Sequence, residues 1–259
     1  LSREAKLALA ICAAQMGIAT NTGEGGLVPG ENYFANGYAD ADRTDKRWEP
    51  GGYLVIQWST GRWGVSADYV RAGDAVEVKI GQGAKPGMGG HLLGKKVTQE
   101  IAEVRGVPAG SDALSPCRYY DVQSADDMKR MVAFLRDVTN YQVPILMKLG
   151  PSRPYADVKA CAEAGVDAIS IDGAAGGTGA SPDIVTQGVG IPTIACIPPA
   201  VRALQDLGLH HKVKLIALGG LRGGLDAFKA LAMGADAVGF ASAAEIALGC
   251  RACMACHKG

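Results

Sequence analysis

Two stretches of the chain form a weak internal repeat: AEAGVDAISIDG (162–173) and LAMGADAVGFAS (231–242). In each, a helical segment is stopped by a glycine, Gly165 or Gly234, and a β-rich run follows at once. A helix-to-strand unit used repeatedly restricts the chain to a parallel sheet, because parallel neighbours must be joined by a crossover. Reuse of one unit favours a closed barrel over an open sheet.

The rest of the chain extends that pattern. Strands are expected at 53–58, 75–80, 143–149, 166–171, 213–218 and 236–241, with a shorter one ending near Asn21. Ser2 caps a first helix whose apolar positions are Ala5, Leu9, Cys12, Ala13 and Met16, ending at Gly17. Ser124 and Asp127 form a capping box for a helix running to about Thr139. Seven strands are visible and a (β/α)8 TIM barrel needs eight, so the expectation is a barrel without its first strand, in a chain cut at both ends. The long insertions 22–52 and 81–98 follow strands, which puts them on the catalytic face of a barrel. Residues 1–249 read as one barrel domain and 250–259 as the start of a cysteine segment.

Lys plus Arg balances Asp plus Glu at 26 each, so no global field draws the chain to nucleic acid or to a membrane surface. No apolar run is long enough to cross a bilayer, and the N-terminus lacks the regions of a signal peptide, so a cytoplasmic enzyme is expected. Four cysteines (Cys12, Cys117, Cys161, Cys196) are scattered in apolar contexts.

Local chemistry is concentrated at strand ends. Gly219 and Gly220 follow one strand, and the last strand runs through Gly239 and Phe240 to Ser242 before a new helix; such strand ends suit a phosphate monoester, or are simply tight turns. Lys148 lies in ILMKL, where a barrel interior is normally apolar. It answers a negative charge on a cofactor such as reduced flavin, a buried ion pair or a Schiff base. The glycine-rich run 81–96 presents Lys85 and His91 to an anion, while Lys95 and Lys96 read as a solvated helix face. NTGEGG sets Glu24 among glycines, where it can hold an ammonium or act in proton transfer. DGAAGGTGASP (172–182) lacks the dinucleotide fingerprint and reads as the floor of a pocket.

Cys250, Cys253 and Cys256 stand at C-x2-C-x2-C spacing. That spacing points to an iron–sulfur cluster, of 3Fe-4S or 4Fe-4S type, ahead of zinc, whose structural sites use two separated pairs.

Taken in order, NTGEGG, TGRWGV (60–65), GQGAKPGMGG, SPCRYYDVQSADDM (115–128), GGTGASP, GGLRGG (219–224) and IALGC (246–250) resemble the FMN-binding synthase domain of glutamate synthase. The resemblance covers nearly the whole chain and is closest to the short, archaeal-type members. It implies an FMN phosphate held around Gly219, Gly220, Gly239, Phe240 and Ser242, with Lys148 facing the flavin ring. Gln57, Ser59, Arg62, Asp172 and Gly177 would contact the cofactor. It also implies Lys85 and Arg105 as anchors for 2-oxoglutarate, His91 at a substrate-side glutamine position, and Glu24 where ammonia meets the keto acid.

In the family the cluster ligands follow C-x5-C-x4-C, which Cys250, Cys256 and His257 fit and to which Cys253 is extra. Cys117, Arg118, Tyr119 and Tyr120 replace a Pro-Pro-His-His stretch. The implied activity is reductive amination of 2-oxoglutarate through 2-iminoglutarate, an oxidoreductase reaction on a CH–NH2 centre. Implied partners are a glutamine amidotransferase domain or subunit and, as electron donor, ferredoxin or an NAD(P)H-oxidising subunit. A synthase of N-methylglutamate from methylamine, or an electron-relay subunit without turnover, would share these features.

Overall fold

The computed structural model describes residues 1–35 and 51–256; His257 and the two residues after it lie outside them. Nine strands are formed among these residues: β1 (Ala19–Asn21), β2 (Tyr53–Trp58), β3 (Ala75–Lys79), β4 (His91–Leu92), β5 (Ala113–Leu114), β6 (Ile145–Leu149), β7 (Ala168–Asp172), β8 (Lys214–Leu218) and β9 (Ala237–Val238). Seven make one sheet in the order β1-β2-β3-β6-β7-β8-β9, every pairing parallel. Among the described residues nothing pairs β9 with β1, as expected of a (β/α)8 barrel that shows seven of its strands. The antiparallel pair β4-β5 lies in the insertion after β3; sequence periodicity missed it because two-residue strands leave no pattern to read.

The helices are α1 (Arg3–Met16), α2 (Glu31–Ala35), α3 (Ala67–Arg71), α4 (Gln99–Arg105), α5 (Ala125–Val138), α6 (Pro154–Glu163), α7 (Asp183–Gly188), α8 (Thr193–Asp206), α9 (Gly224–Ala232) and α10 (Ser242–Ala247). Their ends obey local chemistry. The Ser2 and Ser124 side chains accept from the N–H groups of Ala5 and Asp127, and Gly17 closes α1 in the left-handed region at φ 65°. The Asp127 carboxylate accepts from the N–H of Gln123, completing the cap of α5.

α1 buries a different face from the one its periodicity suggests. Lys6, Ala10, Ala13 and Ala14 face inward while Cys12 and Met16 are exposed. The helix is apolar nearly all round, so its orientation follows the Lys6 ammonium, which pairs with Glu31 of α2 at 2.8 Å and donates to the Gly26 carbonyl. Both side chains are buried, and together they tie α1 to the end of the NTGEGG loop. Of the other cysteines, Cys161 and Cys196 are buried and Cys117 is exposed.

Strand alternation divides the sheet into two faces. Leu54, Ile56, Val76, Val78, Ile145, Met147, Ile169, Ile171, Leu215 and Ala217 join helix residues such as Leu135, Val158, Ile197 and Leu204 in the main core. The opposite face carries a separate small cluster of Ala75, Leu146 and Ala168 with Val55 and Ile216. That second cluster is one apolar layer of the barrel interior, and the positions two residues further along these strands form the next layer up.

Candidate functional site

The next layer is polar. It comprises Gln57 on β2, Glu77 on β3, Lys148 on β6 and Ser170 on β7, with Leu218 on β8 as its apolar member; Gln57 stands opposite Glu77, and Lys148 opposite Ser170 on one side and Lys79 on the other. One oxygen of Glu77 accepts from the amides of Gln57 and Asn21, both at 2.9 Å. Lys148 lies 3.4 Å from Asp172 Oδ2, and the same oxygen accepts from the N–H of Gly83 at 3.0 Å. Burial alone would lower the Lys148 ammonium, but Asp172 and Glu77 outweigh it and hold its pKa above the usual lysine range. Lys148 therefore stays a cation, paired with the buried Asp172.

Above this layer β1 ends and the NTGEGG turn begins, shaped by the Gly23 N–H donating to Asn21 Oδ1 at 2.8 Å. Glu24 is held from two sides: Lys79 Nζ lies 3.0 Å from Oε2, and Ser115 Oγ donates to Oε1 at 2.6 Å. Burial pushes the Glu24 carboxyl up, but Lys79 and Ser115 more than offset it, and its pKa falls below the usual value. Lys79 itself is lowered, chiefly by burial and against the pull of Glu24.

Lys85 follows on the β3–β4 loop and is only 2% exposed. Its ammonium makes no hydrogen bond or ion pair among the described residues, and burial with the nearby Lys79 lowers its pKa against the pull of Glu24. Arg105, the last residue of α4, stacks on Trp63 at 4.7 Å and presses on Gly25, where a side chain would meet its guanidinium at 3.2 Å. Glu24 acts electrostatically on both Lys85 and Arg105, so the three residues share one mouth. His91 sits on β4 and is exposed.

The far side of the mouth is glycine. Gly219 and Gly220 follow β8 at φ 93° and 77°, conformations that other residues rarely adopt. Gly219 lies against the backbone of Gly173 and Gly176, and Gly239 after β9 lies against the end of the Leu218 side chain. Phe240 is partly exposed and Ser242 opens α10. The 173–182 loop is braced on the β3–β4 loop: the Ala84 N–H donates to the Gly176 carbonyl and Ser181 Oγ to the Ala84 carbonyl at 2.9 Å. Gly177, at φ 133°, lies against Ala84.

Some sequence-derived candidates are placed elsewhere. Gln57 joins the interior layer and Ser59 is buried beside it in sequence, but the Arg62 guanidinium is held by Asp121 at 2.6 Å and by Tyr120, over the ring of Trp58 at 5.0 Å. Trp58 meets Phe134 of α5 edge-on at 6.1 Å, so Arg62 belongs to the outer, helix side of β2. Lys96 is no free surface lysine, since it donates to the Cys256 carbonyl. Cys256 lies close to Gly179, which brings the tail back over the 173–182 loop. Cys250, Cys253 and Cys256 are exposed free thiols, and among the described residues no three His, Cys, Asp or Glu side chains form a metal set. Glu77, Lys79 and Ser115 were missed from sequence. Charged residues at alternate positions of AVEVK carry the same signal as Lys148 in ILMKL.

These features define a class: a parallel α/β barrel with a charged interior layer and a mouth that pairs a glycine wall with two cations, Lys85 and Arg105, around one carboxylate. A family model described as the conserved region in glutamate synthase matches residues 1–259. The chain belongs to the glutamate synthase family. It is 43% identical over 249 residues to a glutamate synthase large subunit-like protein of Rhizobium meliloti, covering 96% of this chain and 53% of that protein. It is 41% identical over 260 residues to an archaeal-type glutamate synthase (NADPH) of Thermotoga neapolitana, covering 100% of this chain and 48% of that protein. The chain thus spans about half the length of these relatives. Among solved structures, a flavocytochrome b2 mutant with pyruvate bound aligns at TM-score 0.55 and 17% identity over 91% of this chain and 52% of that one. A Pediococcus acidilactici lactate oxidase aligns at 0.53 and 17% over 90% and 56%. At such identities the likeness shows the barrel fold alone.

Proposed function

We propose that this chain is the synthase barrel of a glutamate-forming, FMN-dependent oxidoreductase, which aminates 2-oxoglutarate reductively through 2-iminoglutarate. The observation that carries the reading is the buried, unpartnered Lys85 in the same mouth as Arg105. Lys79 is matched by Glu24, and Lys148 by Asp172 and Glu77, while Lys85 and Arg105 have no carboxylate within ion-pair distance among the described residues; the four cations and three carboxylates sum to +1. A dicarboxylate keto acid brings charge of the opposite sign, and two separated cations suit its two carboxylates.

The donor set suits FMN. Lys148, kept charged inside the barrel, complements negative charge at the pyrimidine edge of a reduced flavin, and Gly219, Gly220 and Gly239 expose backbone where a phosphate can approach. Gln57, Ser59, Asp172, Gly177, Phe240 and Ser242 complete the set that would hold it. When bound, the flavin supplies the hydride. The chain's own residues do the rest: Lys85 and Arg105 orient the keto acid, Glu24 meets the amine and His91 contributes a polar contact at the rim. The braced loops 81–90 and 173–182 limit water.

The C-x2-C-x2-C spacing supports a 3Fe-4S or 4Fe-4S cluster with further ligands beyond Cys256. The thiols are not gathered into a ligand set in this conformation, so no step here is routed through them. Ammonia from an amidotransferase domain or subunit, and electrons from ferredoxin or an NAD(P)H-oxidising subunit, complete the proposal.

The test is direct. The full-length protein, reduced with dithionite in the presence of FMN, should form glutamate from 2-oxoglutarate and ammonium. A preparation that binds flavin yet forms no glutamate would refute the reading, and a clear preference for methylamine would replace the product with N-methylglutamate.

A further inference from the structure

Around Glu24 the hydrogen-bond donors converge on the carboxyl and favour its ionised form. The N–H of Gly90 can only donate, and it does so to Ser115 Oγ. The single proton of Ser115 is then free for Glu24, whose Oε1 lies 2.6 Å away. On the other oxygen Lys79 Nζ, also a donor only, lies 3.0 Å off. With Ser115 donating to Oε1 and the Lys79 ammonium to Oε2, both oxygens of the ionised carboxyl accept, and the donors around it favour the carboxylate over the acid. The carboxylate also packs directly on Gly90, where a Cβ would stand 2.2 Å from Oε2 and would push the Glu24 carboxylate aside.

We propose that Ser115 is the positioning residue of this site, holding Glu24 as an oriented carboxylate so that it meets the incoming amine as a hydrogen-bond acceptor and counter-charge, not as a proton donor. The proposal rests on the function proposed above and deepens it, because it specifies which form of nitrogen the mouth recognises. An acceptor-only carboxylate selects ammonium or another N–H-rich cation over a neutral hydroxyl compound.

The other charged groups acting with Glu24 are Lys79 on β3, Lys85 on the β3–β4 loop, Arg105 on α4, Lys148 on β6 and the Tyr119 phenol. None of them is on the segment that carries Ser115 except Tyr119, which hydrogen-bonds instead to the carbonyls of Trp58 and Lys79. Removing the hydroxyl therefore leaves the cations in place and changes one donor.

The test uses the full-length flavin-loaded protein. Ser115→Ala should move the acid limb of kcat/KM for ammonium up by about one pH unit and raise the ammonium KM about tenfold, with the 2-oxoglutarate KM unchanged. Ser115→Thr, which keeps the hydroxyl, should restore much of both. An unmoved limb, or equal effects of Ala and Thr, would overturn the assignment. A Glu24→Gln background guards against a folding defect, since Ser115→Ala should add no further shift there and an additive effect would also overturn it. Titration of the Glu24 carboxyl by carbon NMR needs no turnover: its midpoint should rise in Ser115→Ala, and an unchanged midpoint refutes the role. If the native protein makes no glutamate while that midpoint still rises, the proposed function fails and the Ser115 role stands.

Discussion

Replacing Lys85 by Met should make the empty protein more stable and the enzyme worse. The side chain is almost fully buried and its ammonium, which keeps some contact with solvent, has no partner among the described residues, so folding strips part of its hydration without pairing it. Methionine keeps the length and apolar stem, so the change relieves desolvation with little repacking. The gain should be on the order of 1 kcal/mol, since partial solvation within the mouth already offsets most of the burial cost. It has a pH signature. The folded-state pKa of Lys85 lies below its unfolded value, so between the two the unfolded chain binds more protons. Native stability therefore rises with pH across that interval and is lowest below the folded pKa. Lys85→Met should remove this limb. For catalysis, deleting one partner of a desolvated charge contact costs about 2–5 kcal/mol, on the order of 30-fold to several thousand-fold in kcat/KM for 2-oxoglutarate. Urea denaturation of the ligand-free protein at several pH values, with steady-state kinetics of the reduced flavoprotein, measures both. If Lys85→Met destabilises the empty protein and leaves the keto-acid kcat/KM intact, the residue is structural and the anion-site argument fails.

Three further outcomes are expected. Asp172→Asn strips Lys148 of its counter-ion inside the barrel and should cost about 3–5 kcal/mol by chemical denaturation, with less lost when Lys148→Met is added. Lys6→Met strands the Glu31 carboxylate beneath α1 and should cost a similar amount, on the order of 3–5 kcal/mol, read as a drop in the denaturation midpoint. Gly64→Ala places a methyl 2.1 Å from the Val104 carbonyl at φ 64°; it should shift the loop carrying Trp63 and weaken keto-acid binding through Arg105, measured as a raised KM at unchanged flavin content.

The barrel was legible because each βα unit carries its own punctuation: Gly17, Gly165 and Gly234 stop helices where the chain must turn, and the strand runs after them are apolar on both faces. The strand at 53–58 was read at its observed bounds, but others were read too generously: Val143 and Val166 are apolar residues ahead of the first ladder bond, 236–241 shrinks to Ala237–Val238, and β7 runs one residue beyond its expected end to Asp172. Lys148, Glu24 and Lys85 stood out as single charges in apolar or glycine-rich settings. Ser115 and Lys79 did not, because a serine before a proline and a lysine at a strand end are common, and only the fold brings the first within reach of a glutamate 91 positions away. The facing of α1 and the outward capture of Arg62 were hidden for the same reason: a distant partner, Glu31 or Asp121, decides them.

The sheet is strong in its middle and brief at its margins. β3, β6, β7 and β8 are five residues each, while β1 has three and β9 two, with one side of each unpaired among the described residues. Local opening starts where the fewest ladder bonds must break. Lys148 and Asp172 therefore belong to the last unit of the molecule to exchange its amides, whereas Glu24 hangs from one weak margin and Gly239 from the other. The mouth is assembled from parts of unequal persistence: its floor endures through fluctuations that can release the carboxylate on one flank and the glycine wall on the other.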